Sequence, residues 1–282
     1  KRSIPGYVGG NSFWVNDGEI SNRGIDLSVT ARIMQNDRFQ WTSTLNGTYL
    51  KNRVERLSGG ENDFINGSSP AAGMVDYATI IKPGEAIGTF WGYEWTGLDE
   101  KGHDTYTDVD GNQMIDGGDR KVIGKANPDF TLGWNNSLSY KNWDLSMQFT
   151  SQLGFKILNE PRAYYENNSH AYNRLKSVEE APYGGQYTLS SSQPQTMVSY
   201  YLENGNFLKL TNLTIGYNFP FKNNKYIKNV RAYLSGDNLF CITGYSGLDP
   251  ELSNPYPTYA GIDNRDKYPS IRSFTFGLNL TF

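Results

Sequence analysis

This 282-residue sequence predicts an all-β, antiparallel fold: a transmembrane β-barrel wall of about seven membrane-crossing strands, with long loops on one side. Three observations carry that expectation. Apolar and polar residues alternate with period two over segments of about ten residues, the span of a tilted strand through a bilayer. Aromatic residues gather where those segments meet short turns. The connections alternate short and long, the asymmetry of outer-membrane barrels, whereas compact soluble domains rarely carry such long loops.

The strands follow in order. In the first, 22–34, Ile25, Leu27, Val29, Ala31 and Ile33 alternate with Asp26, Ser28, Thr30 and Arg32. After a turn at 35–38, Phe39, Trp41, Leu45 and Tyr49 of 39–52 alternate with Gln40, Thr42, Thr44, Asn46 and Thr48. Phe130, Leu132, Trp134, Leu138 and Tyr140 make the apolar face of 128–140, and a tight turn at Lys141–Asn142 leads to Trp143, Leu145, Met147 and Phe149 of 143–153. The segment 205–219 presents Leu213, Ile215, Tyr217 and Phe219, and 228–242 presents Val230, Ala232 and Leu234. The last, 270–282, alternates most strictly, with Phe274, Phe276, Leu278, Leu280 and Phe282 on one face. Alternation alone also suits a soluble sandwich with its apolar face turned inward. The aromatics beside the short turns (Phe39, Trp41, Tyr140, Trp143, Tyr217, Phe219) favour the barrel, because aromatic girdles mark the membrane interface.

Composition narrows the remaining classes. Lys and Arg number 26 against 29 Asp and Glu, so the basic footprint of a nucleic-acid binder is missing. No run of 18 apolar residues exists to form a transmembrane helix. One cysteine, Cys241, excludes an internal disulfide framework, and it reads as a small apolar residue at a strand end. Two distant histidines, His103 and His170, give no metal or triad signature. Asp144, Glu160 and Glu166 show no pairing that suggests glycosidase chemistry, and no catalytic residue is expected.

Parity then sets the topology. The short turns at 35–38, 141–142 and 220–229 fall on one side, expected to be periplasmic together with the C-terminus. The long connections 54–127, 154–205 and 243–269 fall on the other, expected to be extracellular. The apolar run Ile87–Trp95 would break this parity as an eighth crossing, so it is expected as a hairpin within the first long loop. Seven strands do not close an even-stranded barrel, and an open edge in lipid leaves backbone groups unpaired. The remaining strands are therefore expected in another polypeptide or another part of the protein.

The motifs then become recognisable. Residues 206–220 (NFLKLTNLTIGYNFP), 235–240 (SGDNLF) and 243–251 (TGYSGLDPE) resemble the C-terminal segment of the SusC/RagA family of TonB-linked outer-membrane nutrient transporters of Bacteroidetes. So do 18–27 (GEISNRGIDL), 51–54 (KNRV) and 84–93 (GEAIGTFWGY), in the family's order and nearly end to end. The resemblance implies a plugged barrel of about 22 strands, with residues 1–282 as its C-terminal section and no plug domain among them. It further implies import of glycan oligosaccharides or peptides, a SusD-like surface lipoprotein as a lid, and energy from the TonB complex acting on a plug. A passive porin and a soluble carbohydrate-binding sandwich stay open as rivals.

Three groups of residues are site candidates. Asp108, Asp110, Asn112, Met114 (through its carbonyl), Asp116 and Asp119 fall at positions 1, 3, 5, 7, 9 and 12 of a loop resembling a calcium-binding one, although Gln113 replaces the usual turn glycine. The bland reading is a solvated acidic turn. A structural calcium is the one cofactor suggested, and none is required. Trp91, Tyr93 and Trp95, with Tyr164, Tyr165 and Tyr172, are candidates for stacking on sugar rings or peptide side chains, or for packing within the loops. Phe274, Phe276, Leu278, Leu280 and Phe282 form a terminal strand of the kind that barrel-assembly machinery reads.

Overall fold

Seven long strands pair in strict chain order. They are β1 (Gly18–Gln35), β2 (Phe39–Leu57), β3 (Phe130–Tyr140), β4 (Trp143–Leu153), β5 (Phe207–Phe219), β6 (Asn229–Thr243) and β7 (Ser273–Thr281), each antiparallel to the next. This computed structural model describes residues 2–3, 12–13, 18–57, 65–67, 77–100, 103–166, 173–179, 197–220, 226–252 and 259–282. The expected strands are all present, with bounds shifted by a few residues.

Short-turn chemistry fixes the register. Asn36 Oδ1 accepts the N–H groups of Arg38 and Phe39, closing the β1–β2 turn. Lys141 takes a positive φ of 53°, which lets a two-residue turn join β3 to β4 in line with the strand twist. From there β3 and β4 pair without slippage from Tyr140–Trp143 to Phe130–Leu153.

The sheet is one layer with two unlike faces. Outward stand Ile25, Leu27, Leu45, Trp134, Ile215, Leu234 and the whole row Phe274, Phe276, Leu278, Leu280 and Phe282, all exposed, with Phe276 at 70%. No described element covers that face. A soluble sandwich would bury it, so the exposure selects the membrane wall. The inner face carries a cross-strand lattice of polar bonds: Thr48 to Asp26 at 2.6 Å, Ser28 to Asn46 at 2.7 Å and Asn212 to Asp237 at 2.7 Å. Lower down, Arg231 grips Asp144 through two guanidinium nitrogens.

Aromatic rungs bound the apolar band. Near the short turns Phe39 packs on Tyr140 at 6.5 Å and Trp143 on Tyr217 at 4.8 Å; near the long loops Tyr49 packs on Phe130 at 5.1 Å. From Phe130 to Tyr140 the chain rises about 33 Å at ~3.3 Å per residue. A tilt of about 40° reduces this to a height of about 25 Å, the apolar band of an outer-membrane barrel.

Bulges interrupt the alternation. In β5 and β6 the register shifts between Leu210 and Asn212. The outward set therefore changes from Leu213 and Ile215 below to Leu208 above, and from Leu234 to Phe240 and Ile242. Cys241 thereby faces inward opposite Lys209 and is solvent-exposed, which corrects the apolar role expected for it.

Candidate functional site

The three long connections are tied to one another at one end of the wall. In the first, Thr89–Gly92 pairs with both Thr79–Ile81 and Lys121–Lys125, while Trp95–Leu98 pairs with Asp104–Tyr106. The run 87–95 therefore stays out of the wall, as parity requires. It is not a hairpin of its own, because its ladder partners lie up to 36 residues away, Lys125 opposite Thr89. In the second and third connections Lys156–Asn159 pairs antiparallel with Leu202–Asn204 and parallel with Ile262–Asp263. Tyr93 joins the first to the second through Tyr93 N–H to Met197 O and Ser199 N–H to Tyr93 O, both 2.9 Å. Gly92 permits this approach, since a Cβ there would lie 2.2 Å from the Met197 oxygen. Phe90, Leu158, Met197, Tyr201 and Ile262 form the buried core beneath.

The stacking candidates divide. Trp91, Tyr93 and Trp95 do not make one platform: Lys82 lies over Trp91, Tyr93 packs on Tyr106 under Arg120, and Trp95 packs on Tyr200 at 4.8 Å. Tyr164 and Tyr165 sit on a short helix, α1 (Glu160–Tyr165), capped by Asn159, with Arg265 over Tyr164 at 4.1 Å. Tyr172 lies outside the described residues. Tyr200 links the two groups, because Arg162 of α1 lies over its ring at 4.4 Å. Sequence reasoning missed Tyr200; it follows a stretch without periodicity and meets Trp95 only through the fold.

Charges lock this assembly. Arg162 binds Glu166 and, at 3.2 Å, Glu203, which also accepts from the Ser246 N–H and hydroxyl. Burial and the bond to Glu166 push the Tyr200 phenol well above its ordinary pKa, so it stays a donor. Lys209, 5% exposed, donates to Asp249 and Glu251, each at 2.9 Å. Burial alone would raise the Asp249 pKa, but hydrogen bonds from Ser270, the Glu251 N–H and Lys209 hold it below the usual carboxylate range.

The acidic loop adopts a wound, self-bonded form. Carboxylate oxygens of Asp108, Asp110 and Asp119 lie within 4.8 Å of one another. Asp108 accepts from Gly111 and Gln113 N–H, Asn112 from Met114 N–H, and Asp116 caps the next turn through Gly118 N–H. Asp119 accepts from Val109 and Asp116 N–H, and these backbone bonds hold its carboxyl below the usual range. Gln113 takes φ 64°, the left-handed conformation that glycine normally supplies at that position. Three converging carboxylates suit a hard cation, and all three, like Asn112 and Asp116, also accept bonds from within the loop.

Below the loops, a groove of about 220 Å³ opens on the inner wall between Thr42, Thr44, Asn135, Ser137, Gln148 and Asn212. Hydroxyls and amides line it together with Met147, without a charge.

No family model matches. A TonB-dependent receptor of Formosa agariphila is 34% identical across all of this chain, and the TonB-dependent receptor SusC of Bacteroides thetaiotaomicron is 29% identical across 95% of it. Across its length the chain is similar to TonB-dependent receptors of the SusC and RagA type. It spans 30% and 27% of those two relatives' lengths. A solved structure of the RagAB peptide transporter superposes with a TM-score of 0.79 at 25% identity, over 99% of this chain and 31% of that one. These relatives are named as receptors and transporters, not enzymes.

The SusC/RagA motifs now have physical roles. In FLKL and LDPE, Lys209 and the acids Asp249 and Glu251 clamp the third connection to β5. In SGDNLF, Asp237 accepts from Asn212 and Ser273 across three strands, while Asn238 turns the bulge with φ 52°. In GEAIGTFWGY, Gly84 and Glu85 bond to Val54 and Ile87 N–H to Asn52 Oδ1, extending the wall upward from β2.

Proposed function

We propose that this chain forms the C-terminal wall and outer vestibule of a TonB-energised outer-membrane nutrient importer. One observation carries the reading: an exposed apolar outer face backs onto a hydrogen-bonded polar inner face. In this reading residues 1–282 are one barrel section without a plug, and the free edges of β1 and β7 pair with the remaining strands around it. The short turns and the C-terminus face the periplasm, and the row from Phe274 to Phe282 is read during assembly. A SusD-like lipoprotein covers the tied loops, and the TonB complex acts through the plug.

The cargo is an oligosaccharide or a peptide. Tyr164 and Trp95 with Tyr200 offer ring faces, and the inner groove offers neutral hydrogen bonds. Uptake should fall to background in a strain lacking TonB. Unchanged uptake would identify a passive porin instead. A protein extracted without detergent would restore the soluble sandwich.

The 108–119 loop takes calcium as a structural pin, through Asp108, Asp110 and Asp119 with the Met114 carbonyl. Calorimetric titration should find one calcium bound, lost in Asp110→Asn. No binding at millimolar supply removes the calcium and leaves a self-bonded turn.

A further inference from the structure

Two cations stand directly opposite each other on the outer face of the wall. Arg23 of β1 and Lys51 of β2 are cross-strand partners, one rung above Ile25–Tyr49 and one rung below Ser21–Arg53. Strand alternation turns them to the same side as Ile25, which is 71% exposed, and both are exposed themselves. Like charges directly opposite on neighbouring strands repel and destabilise the pair. Among the described residues neither forms an ion pair. The carboxylates nearby are committed: Glu55 to Arg53 at 3.7 Å and to the Ser21 hydroxyl, Glu19 to Arg56 at 3.8 Å. The inner face at this level is neutral, with Asn52 donating to Asn22 at 2.7 Å.

Height decides what neutralises them. Tyr49 and Phe130 form the upper aromatic rung, the kind that sits at the headgroup boundary. Arg23 and Lys51 lie two residues farther along their strands, about 5 Å higher at ~3.3 Å per residue and a tilt of about 40°. That is the level of lipid phosphates. A guanidinium can hold a phosphate through two parallel N–H bonds, and an ammonium adds a compact second charge.

We infer that Arg23 and Lys51 form a binding site for the phosphate of an anionic lipid in the leaflet on the long-loop side, with Arg53 as its outer neighbour. This rests on the membrane reading above. The test uses the protein purified from its membrane, reconstituted in phosphatidylcholine nanodiscs and titrated with diphosphoryl lipid A, with bound lipid counted by native mass spectrometry. The double variant Arg23→Gln/Lys51→Gln should retain at least tenfold less lipid A. The exchange Arg23→Lys/Lys51→Arg should retain it, as should Arg38→Gln at the opposite end of the wall. Dephosphorylated lipid A should not bind, and equimolar inorganic phosphate should not displace the intact lipid. Equal retention by wild type and the double variant overturns the site; displacement by inorganic phosphate overturns the lipid as its source. Failure of the wild type to enter nanodiscs is seen before any lipid A is added, and overturns the membrane reading itself.

Discussion

Among single residues, Asn136 is the one that breaks the pattern of the wall. It stands on the lipid side between Trp134 and Leu138, yet it is 3% exposed. The Trp41 indole donates to its Oδ1 at 3.1 Å, and beside it Trp134 donates to Ser43 at 2.9 Å. Indole N–H groups within hydrocarbon need acceptors, and small polar residues on the neighbouring strand supply them. Its Nδ2 has no hydrogen-bond partner, so the amide depends on one bond. Trp41→Phe should cost about 1–3 kcal/mol, the penalty for orphaning a buried polar group. Trp41→Phe with Asn136→Leu should recover most of that loss. Urea unfolding in detergent micelles checks both, and equal instability of the single and double variants would refute the pairing. In the sequence Asn136 shows only as a gap in an apolar row; its partner lies 95 residues earlier.

At the level of elements, the third connection hangs on two buried contacts with opposite responses to pH. Burial raises the Asp263 carboxyl above its ordinary value, with a lesser opposing effect from the Tyr245 hydroxyl that donates to it. The charged groups acting on it are Lys267, Asp249 and Glu203. A raised carboxyl favours the folded form when protonated, so its contribution is complete below about pH 4, near the unfolded pKa, and is lost as pH rises through the folded pKa. Exchange of the Leu158 amide, bonded to Gly261 at 2.8 Å, should therefore slow, relative to its intrinsic rate, as pH falls from neutral toward 4. In Asp263→Asn that trend should vanish, and its persistence would place the titrating group elsewhere. Asp249 runs the other way: its depressed carboxyl contributes above the unfolded pKa and loses that contribution as pH falls through the folded pKa. Lys209→Met leaves Asp249 buried without its cation and should destabilise the protein by about 3 kcal/mol, seen as early proteolysis within 244–272. A clamp without energetic weight would leave the cleavage pattern unchanged. The strands were legible because period two is local, whereas these contacts were not: Lys209 meets Asp249 across 40 residues. The calcium-like spacing was legible as a loop, and three of its carboxylates do converge. The aromatic triplet Trp91, Tyr93 and Trp95 was legible as a cluster, but its members were claimed by different neighbours.

For the whole molecule, adjacent residues must answer oppositely to the same substitution, because only the facing of the sheet separates them. Leu45 points outward in the middle of the apolar band, 47% exposed and flanked by its cross-strand partners Val29 and Trp134. Thr44 points inward, shares a hydroxyl contact with Thr30 at 3.0 Å and borders the polar groove. Arginine on the lipid face at the bilayer midplane costs about 2–4 kcal/mol, while a lumen position leaves the charge hydrated. Leu45→Arg should lower stability in lipid by that amount and reduce the heat-modifiable, folded fraction in the outer membrane. Thr44→Arg should leave both nearly unchanged and reduce only flux past the groove. A soluble sandwich would rank the two variants in the same order, since its apolar face would be the interior and its polar face the solvent side, but neither variant would be sensitive to lipid. The dependence of the Leu45→Arg penalty on lipid, measured by folding in detergent and in liposomes, therefore separates the architectures. Equal destabilisation of both, or an effect independent of lipid, is incompatible with a wall that turns its apolar face to the membrane.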